Sequence, residues 1–81
     1  MIDFQEMQRR DAICQDIVNN RNYSLLNKQG DDILMPIIKH IIRCNLEAVS
    51  DYRMLVESIR KYSRSKKVAI IAKFIREGGT W

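Results

Sequence analysis

The hydrophobic positions of this chain fall into helical spacing almost from its first residue. Phe4, Met7, Cys14, Ile17 and Val18 recur near a 3.6-residue period, with Ile13 widening the stripe. That is the pattern of a helix with one buried face. Asp3 followed by Glu6 reads as a capping box, and Ile2 and Met7 are spaced for a hydrophobic staple across it. The run from Asn19 to Asn22 should end this helix near Val18, because Asn favours turns and tolerates left-handed backbone. A short helical turn is predicted over 24–29, with Gly30 as its C-terminal cap. Asp31 and Asp32 then supply the negative charge that suits a helix N-terminus. Pro36 places that start near Asp32, since proline is accepted in a first turn and not deeper. Over 33–44, Leu34, Ile37, Ile38, Ile41, Ile42 and Cys44 form a wide apolar face, with Lys39, His40 and Arg43 on the other side.

A fourth helix is predicted over 46–62. Val49, Tyr52, Leu55, Val56 and Ile59 point inward, and Glu47, Asp51, Glu57 and Lys61 outward, with Glu57 and Lys61 a favourable pair four residues apart. Ser63-Arg64-Ser65 makes the next turn. The last helix, over 66–77, is apolar nearly all round from Val68 to Ile75, with a narrow polar strip at Lys66, Lys73 and Glu77. Such a helix is either the centre of a bundle or exposes a sticky face. Gly78 and Gly79 end it and leave a short tail over 78–81. No segment alternates apolar and polar residues with hairpin chemistry, and no repeat or low-complexity tract is present. The expected fold is all-α, a compact orthogonal bundle of four to five short helices in one domain spanning 1–81.

Composition agrees with a folded domain. Apolar residues make up 46% of the 81 and charged residues 30%, enough for a core and against disorder. A chain of this length still buries a modest share of its surface, so its stability margin is small. The opening residues alternate polar and acidic and do not read as a leader. No apolar run approaches the ~20 residues that span a bilayer, and a cytoplasmic protein is expected. Cys14 and Cys44 lack metal-ligand spacing and read as two buried, reduced thiols.

Candidate catalytic chemistry is thin. His40 is the single histidine, set between two Ile pairs beside Lys39 and Arg43, and reads as a surface residue. Asp31 and Asp32 are explained by helix capping. The closing Arg76-Glu77-Gly78-Gly79-Thr80-Trp81 has two glycines but no preceding strand and no following Lys-Ser/Thr, so it does not form a phosphate loop. A non-enzyme is expected, with no cofactor and no metal.

Charge changes the picture more. Residues 1–43 hold six Lys/Arg and six Asp/Glu, whereas residues 44–81 hold eight and four, so the whole net charge of +4 lies in the second half. Arg60, Lys61, Arg64, Lys66 and Lys67 fall within eight positions. Arg60 and Lys61 suit a helix C-terminus, but Lys66 and Lys67 open the last helix, where the dipole disfavours cations. No carboxylate is near in sequence. The expectation is an outward edge of Arg64, Lys66 and Lys67 facing an acidic surface. Met1, Met7, Met35 and Met54 offer adaptable apolar contacts, and Trp81 beyond a Gly-Gly hinge offers an interface anchor. The candidate partner-binding residues are therefore Arg60, Lys61, Arg64, Lys66, Lys67, Lys73 and Trp81. The function these imply is that of a small regulatory or adaptor protein, in the style common among phage and plasmid regulators of a host machine. It would bind a larger protein through an acidic or apolar surface of that partner, or associate with itself. The alternative is a nucleic-acid-binding regulator using the edge at 60–67. A membrane surface is the weaker fit, because the last helix is needed for the core.

Overall fold

The first helix, α1 (Phe4–Asn19), buries Cys14, Ile17 and Val18, all in its C-terminal half. The structure, a computed structural model, describes residues 4–45 and 51–81. The predicted stripe fails at the other end of α1: Phe4 is 69% exposed and Met7 51%. Periodicity marks which side of a helix is apolar; it does not say how far a neighbour reaches along it. Ile2 and Asp3, the expected staple and cap, lie outside the described residues. Glu6 is held from the other side, with Arg9 at 2.8 Å and Arg10 at 3.4 Å.

The stop after α1 is a Schellman motif. Arg21 takes the left-handed conformation, φ 53°, and the Asn22 N–H donates to the Ile17 carbonyl at 3.0 Å, closing the six-residue loop of that motif. The left-handed residue is thus an Arg, not one of the asparagines. Asn20 and Asn22 use their side chains instead to donate to Asp16. The Asn22 Oδ1 also accepts from the Leu25 N–H at 3.1 Å, capping α2 (Tyr23–Leu26). This helix is shorter than the predicted 24–29 and ends on Asn27.

Gly30 has a different job from the one expected. Its carbonyl accepts from the N–H groups of Ile33 and Leu34, so it begins α3 (Asp31–Asn45) instead of ending α2. Asp31 and Asp32 fill the first turn, as charge predicts. Pro36 is the sixth residue of α3, one or two residues deeper than expected and past the first turn. A proline there has no N–H for the Asp32 carbonyl.

The centre of the bundle is α3, not the last helix. It buries Ile33, Leu34, Met35, Ile37, Ile38, Ile41 and Ile42, and α1, α4 and α5 all pack against it. The helix α4 (Tyr52–Arg60) contributes Val56 to the core, with Tyr52 and Ile59 half-buried. Met54 and Leu55 are exposed. The predicted start at 46, with Glu47 and Val49, lies outside the described residues. Glu57 approaches Arg60 at 3.7 Å, one position short of the predicted partner Lys61.

The last helix, α5 (Arg64–Arg76), starts two residues earlier than predicted because the Ser63 hydroxyl accepts from the Lys66 N–H at 3.3 Å, an N-cap. It buries Lys67, Ile71 and Ile75 along one side. A second Schellman motif ends it. Gly78 sits at φ 88°, its N–H donates to the Ile75 carbonyl, and the Gly79 N–H donates to the Phe74 carbonyl. Gly79 also touches Phe74 so closely that a Cβ there would fall 2.5 Å from the ring. The two glycines are therefore a fixed cap and not a hinge. Among the described residues the fold is an all-α bundle of five short helices with no strand.

Candidate functional site

Lys67 lies one turn before Ile71, on the buried side of α5. Lys67 turns inward and is 3% exposed, with Nζ 3.0 Å from Oδ1 of Asp31 and 3.1 Å from Oδ2. The carboxylate missing from the local sequence comes from 36 residues away, at the head of α3. The expected outward role of Lys67 is corrected accordingly: it is an internal tie between the N-termini of α3 and α5. Glutamate at this position would place two carboxylates together in a buried setting. Arg64 stays exposed, as expected, but is tied to the surface loop before α3. Its guanidinium donates to the Gln29 carbonyl at 3.1 Å and to the Asn27 carbonyl, satisfying the turn that leads out of α2.

The remaining candidates stay outside. Arg60 pairs with Glu57 on the surface of α4. Lys61 is exposed. Lys66 lies over the Tyr62 ring at 5.1 Å, a cation–π geometry. Lys73 is exposed on α5. Beyond the predicted set, Arg43 lies 5.3 Å from the Tyr52 ring and joins α3 to α4.

Trp81 is not a free anchor. Its backbone N–H donates to Asn19 Oδ1 at 2.8 Å and its indole N–H to Asp11 Oδ1 at 3.0 Å, both on α1. Its ring packs against His40 of α3, with centroids 4.7 Å apart and the planes tilted by 39°. His40 is half-buried, meets the edge of Phe74 at 6.0 Å, and donates from Nε2 to the Thr80 carbonyl at 2.7 Å. A carbonyl only accepts, so that nitrogen carries the proton. Cys44 Sγ, 3.6 Å from the same Nε2, therefore faces a donor and not a base. The lone histidine is thus a clamp for the tail, and three helices are tied together at this corner.

The tail completes one wall of an apolar groove of about 350 Å³, lined by Phe4, Met7, Asp11, Cys14, Pro36 and Trp81 among others. Its rim residues Phe4 and Met7 are the part of the α1 stripe left uncovered. Sequence periodicity had pointed to these two residues, but as core. Only the reach of α3 along α1 distinguishes core from rim.

The thiols differ. Burial pushes Cys14 up to about 11, with the nearby Asp11 charge adding to the effect, so it stays protonated and inert at neutral pH. Cys44, expected to be buried, is exposed. Among the described residues, no three His, Cys, Asp or Glu side chains gather as a metal site, and no helix is long and apolar enough to cross a membrane. Comparisons with protein-family models, with curated proteins and with solved structures found no match.

Proposed function

We infer that this protein is a small, non-catalytic regulatory or adaptor module that binds a larger protein partner. The observation that carries the reading is the open groove beside Phe4 and Met7. A small helical domain has few large apolar side chains to spend, and here two stand in solvent against a concave apolar wall. Covering them recovers about 1.5–3 kcal/mol for each side chain fully buried. The residues at the groove's far side, Cys14, Pro36 and Trp81, are fixed by the core and by the tail clamp, so the surface is preformed and little ordering entropy opposes docking. The nucleic-acid reading loses some support from the same geometry, since Lys67 pairs its charge with Asp31 inside the protein.

The test is capture of cellular partners by the tagged chain, with and without nuclease, beside a Met7→Asp variant. Met7 is half exposed, so the variant should melt as the wild type does. The reading expects protein partners that survive nuclease and are lost with Met7→Asp. Loss of every partner to nuclease, or full capture by Met7→Asp, would overturn it.

A further inference from the structure

The face of α5 opposite its buried side has a regular composition. Lys67, Ile71 and Ile75 mark the inward side. At 100° per residue, the positions facing the other way are Lys66, Ala69, Lys73 and Arg76, and all four are exposed. Three cations thus line one exposed stripe, with an alanine at its middle and half-buried Ala72 beside it. Ion pairs among the described residues join Glu6 to Arg9 and Arg10, Glu57 to Arg60, and Asp31 to Lys67. None of the three stripe cations has a carboxylate partner among those residues. Lys66 adds an unfavourable term, because it sits in the first turn, where the helix dipole repels positive charge.

We propose that this stripe docks an acidic amphipathic helix of a protein partner, laid alongside α5 with carboxylates meeting Lys66, Lys73 and Arg76. The proposal rests on the reading of the chain as a protein-binding module and names a second surface for it, away from the α1 groove. Three features favour a helix over a nucleic acid. First, the cations are seven and three residues apart, about 10.5 Å and 4.5 Å along the axis, the rises that a second helix reproduces with Glu or Asp at the same spacing. Second, Ala69 and Ala72 leave room for another helix to approach to the usual 8–10 Å between axes, whereas a phosphate backbone gains nothing from alanine. Third, the track is short. Arg64 and Lys67 lie on the other side of α5, with the buried residues, where they bond the Asn27 and Gln29 carbonyls and Asp31, so they do not lengthen it. Three contacts fall below the roughly 6–10 phosphate contacts of a typical duplex binder. Tyr62 has Lys66 over its ring.

The probe is a synthetic helical peptide with three Glu residues at the same seven- and three-residue spacing and alanines between them. A second peptide of identical composition scatters the Glu residues around the helix. A fluorescent DNA duplex is the third probe. Binding is read by anisotropy at low and moderate salt for the wild type, for the triple variant Lys66→Gln, Lys73→Gln, Arg76→Gln, and for Met7→Asp. All the substituted residues are exposed, and melting curves check that the fold is kept. The spacing-matched peptide should bind tightest. The triple variant should lose roughly 3- to 100-fold in affinity, the worth of three exposed ion pairs, and Met7→Asp should bind the peptide like the wild type. Equal binding of the two peptides, equal binding by the triple variant, or no peptide binding would overturn the proposal. So would tighter binding of DNA through the stripe, with a log–log salt slope near −0.9 per phosphate. Those results leave the groove reading untouched, because that reading falls on the Met7→Asp capture experiment and not on the peptide.

Discussion

Replacing Asp31 by Ala isolates the tie between α3 and α5. In the folded protein Lys67 Nζ lies 3.0 and 3.1 Å from the two carboxylate oxygens. At that distance the Coulomb attraction is about 1.4 kcal/mol in water and about 5.5 kcal/mol at an effective dielectric of 20. Lys67 is 3% exposed but Asp31 62%, so solvent screens the carboxylate and the lower part of that range applies. The loss of the pair should cost about 2 kcal/mol, because a cation in a buried setting is left without its partner. Asp31 also stands in the first turn of α3, where a negative charge is worth about 0.3–1 kcal/mol with the dipole alone. Asp32 shares that turn and has no ion pair within 4 Å among the described residues, so Asp32→Ala measures the dipole contribution together with a weaker attraction to Arg9. Thermal and urea melts followed by helical circular dichroism should place Asp31→Ala about 2 kcal/mol below Asp32→Ala. For a domain of this size that is roughly 8–16 °C in Tm. Adding Lys67→Met to Asp31→Ala should recover most of the loss, because a well-packed apolar side chain replaces the orphaned cation. Equal effects of the two Asp substitutions, or no recovery with Met, would show that Lys67 carries no internal ion pair and would return it to the outward edge that its sequence position suggests.

Two further predictions concern the core and the thiols. Ile71 is fully buried on α5, so Ile71→Asp should cost several kcal/mol and abolish the cooperative melt, given a total stability of about 5–15 kcal/mol; a variant with native circular dichroism and Tm would refute its place in the core. A small alkylating reagent should modify one thiol per native chain, Cys44, and reach Cys14 only on unfolding; rapid reaction at both would refute the burial of Cys14. The Cys14 thiol is raised in the fold from 9.0 to about 11, so the folded state holds its proton more tightly than the unfolded chain. That stabilisation is complete below about pH 9 and fades as pH rises toward 11. Cys14→Ala should therefore flatten the alkaline limb of the stability curve over that window, and an unchanged slope would count against the raised value.

The helices themselves were legible in the sequence because their signals are local. The 3.6-residue stripe of α3, the Asn-rich stop after α1, the acidic first turn at Asp31 and Asp32, and the Gly78-Gly79 stop each act within a few residues through backbone geometry, capping or the dipole. The boundary errors came from the same locality. Gly30 is equally able to end one helix or begin the next, and only the hydrogen bonds from Ile33 and Leu34 decide between them. Ser63 is a cap where its position reads as part of a turn, and Lys67 shares the side of α5 that carries Ile71 and Ile75, which its charge alone does not suggest.

Partnerships across the chain belong to the tertiary structure. No local rule joins Lys67 to Asp31, Arg64 to the Asn27 and Gln29 carbonyls, or His40 to Thr80, because these groups are 35 or more residues apart and meet only after α3 has gathered the other helices around it. The same gathering separates core from rim. Phe4 and Met7 follow the apolar period as faithfully as Ile17, yet α1 is covered only along its second half, so two residues of one stripe become the exposed rim of a groove while the others become core. The sequence determined which residues were able to be buried, through their chemistry and spacing. The tertiary structure decided which of them were, because burial depends on the length and placement of the surface that arrives to cover them.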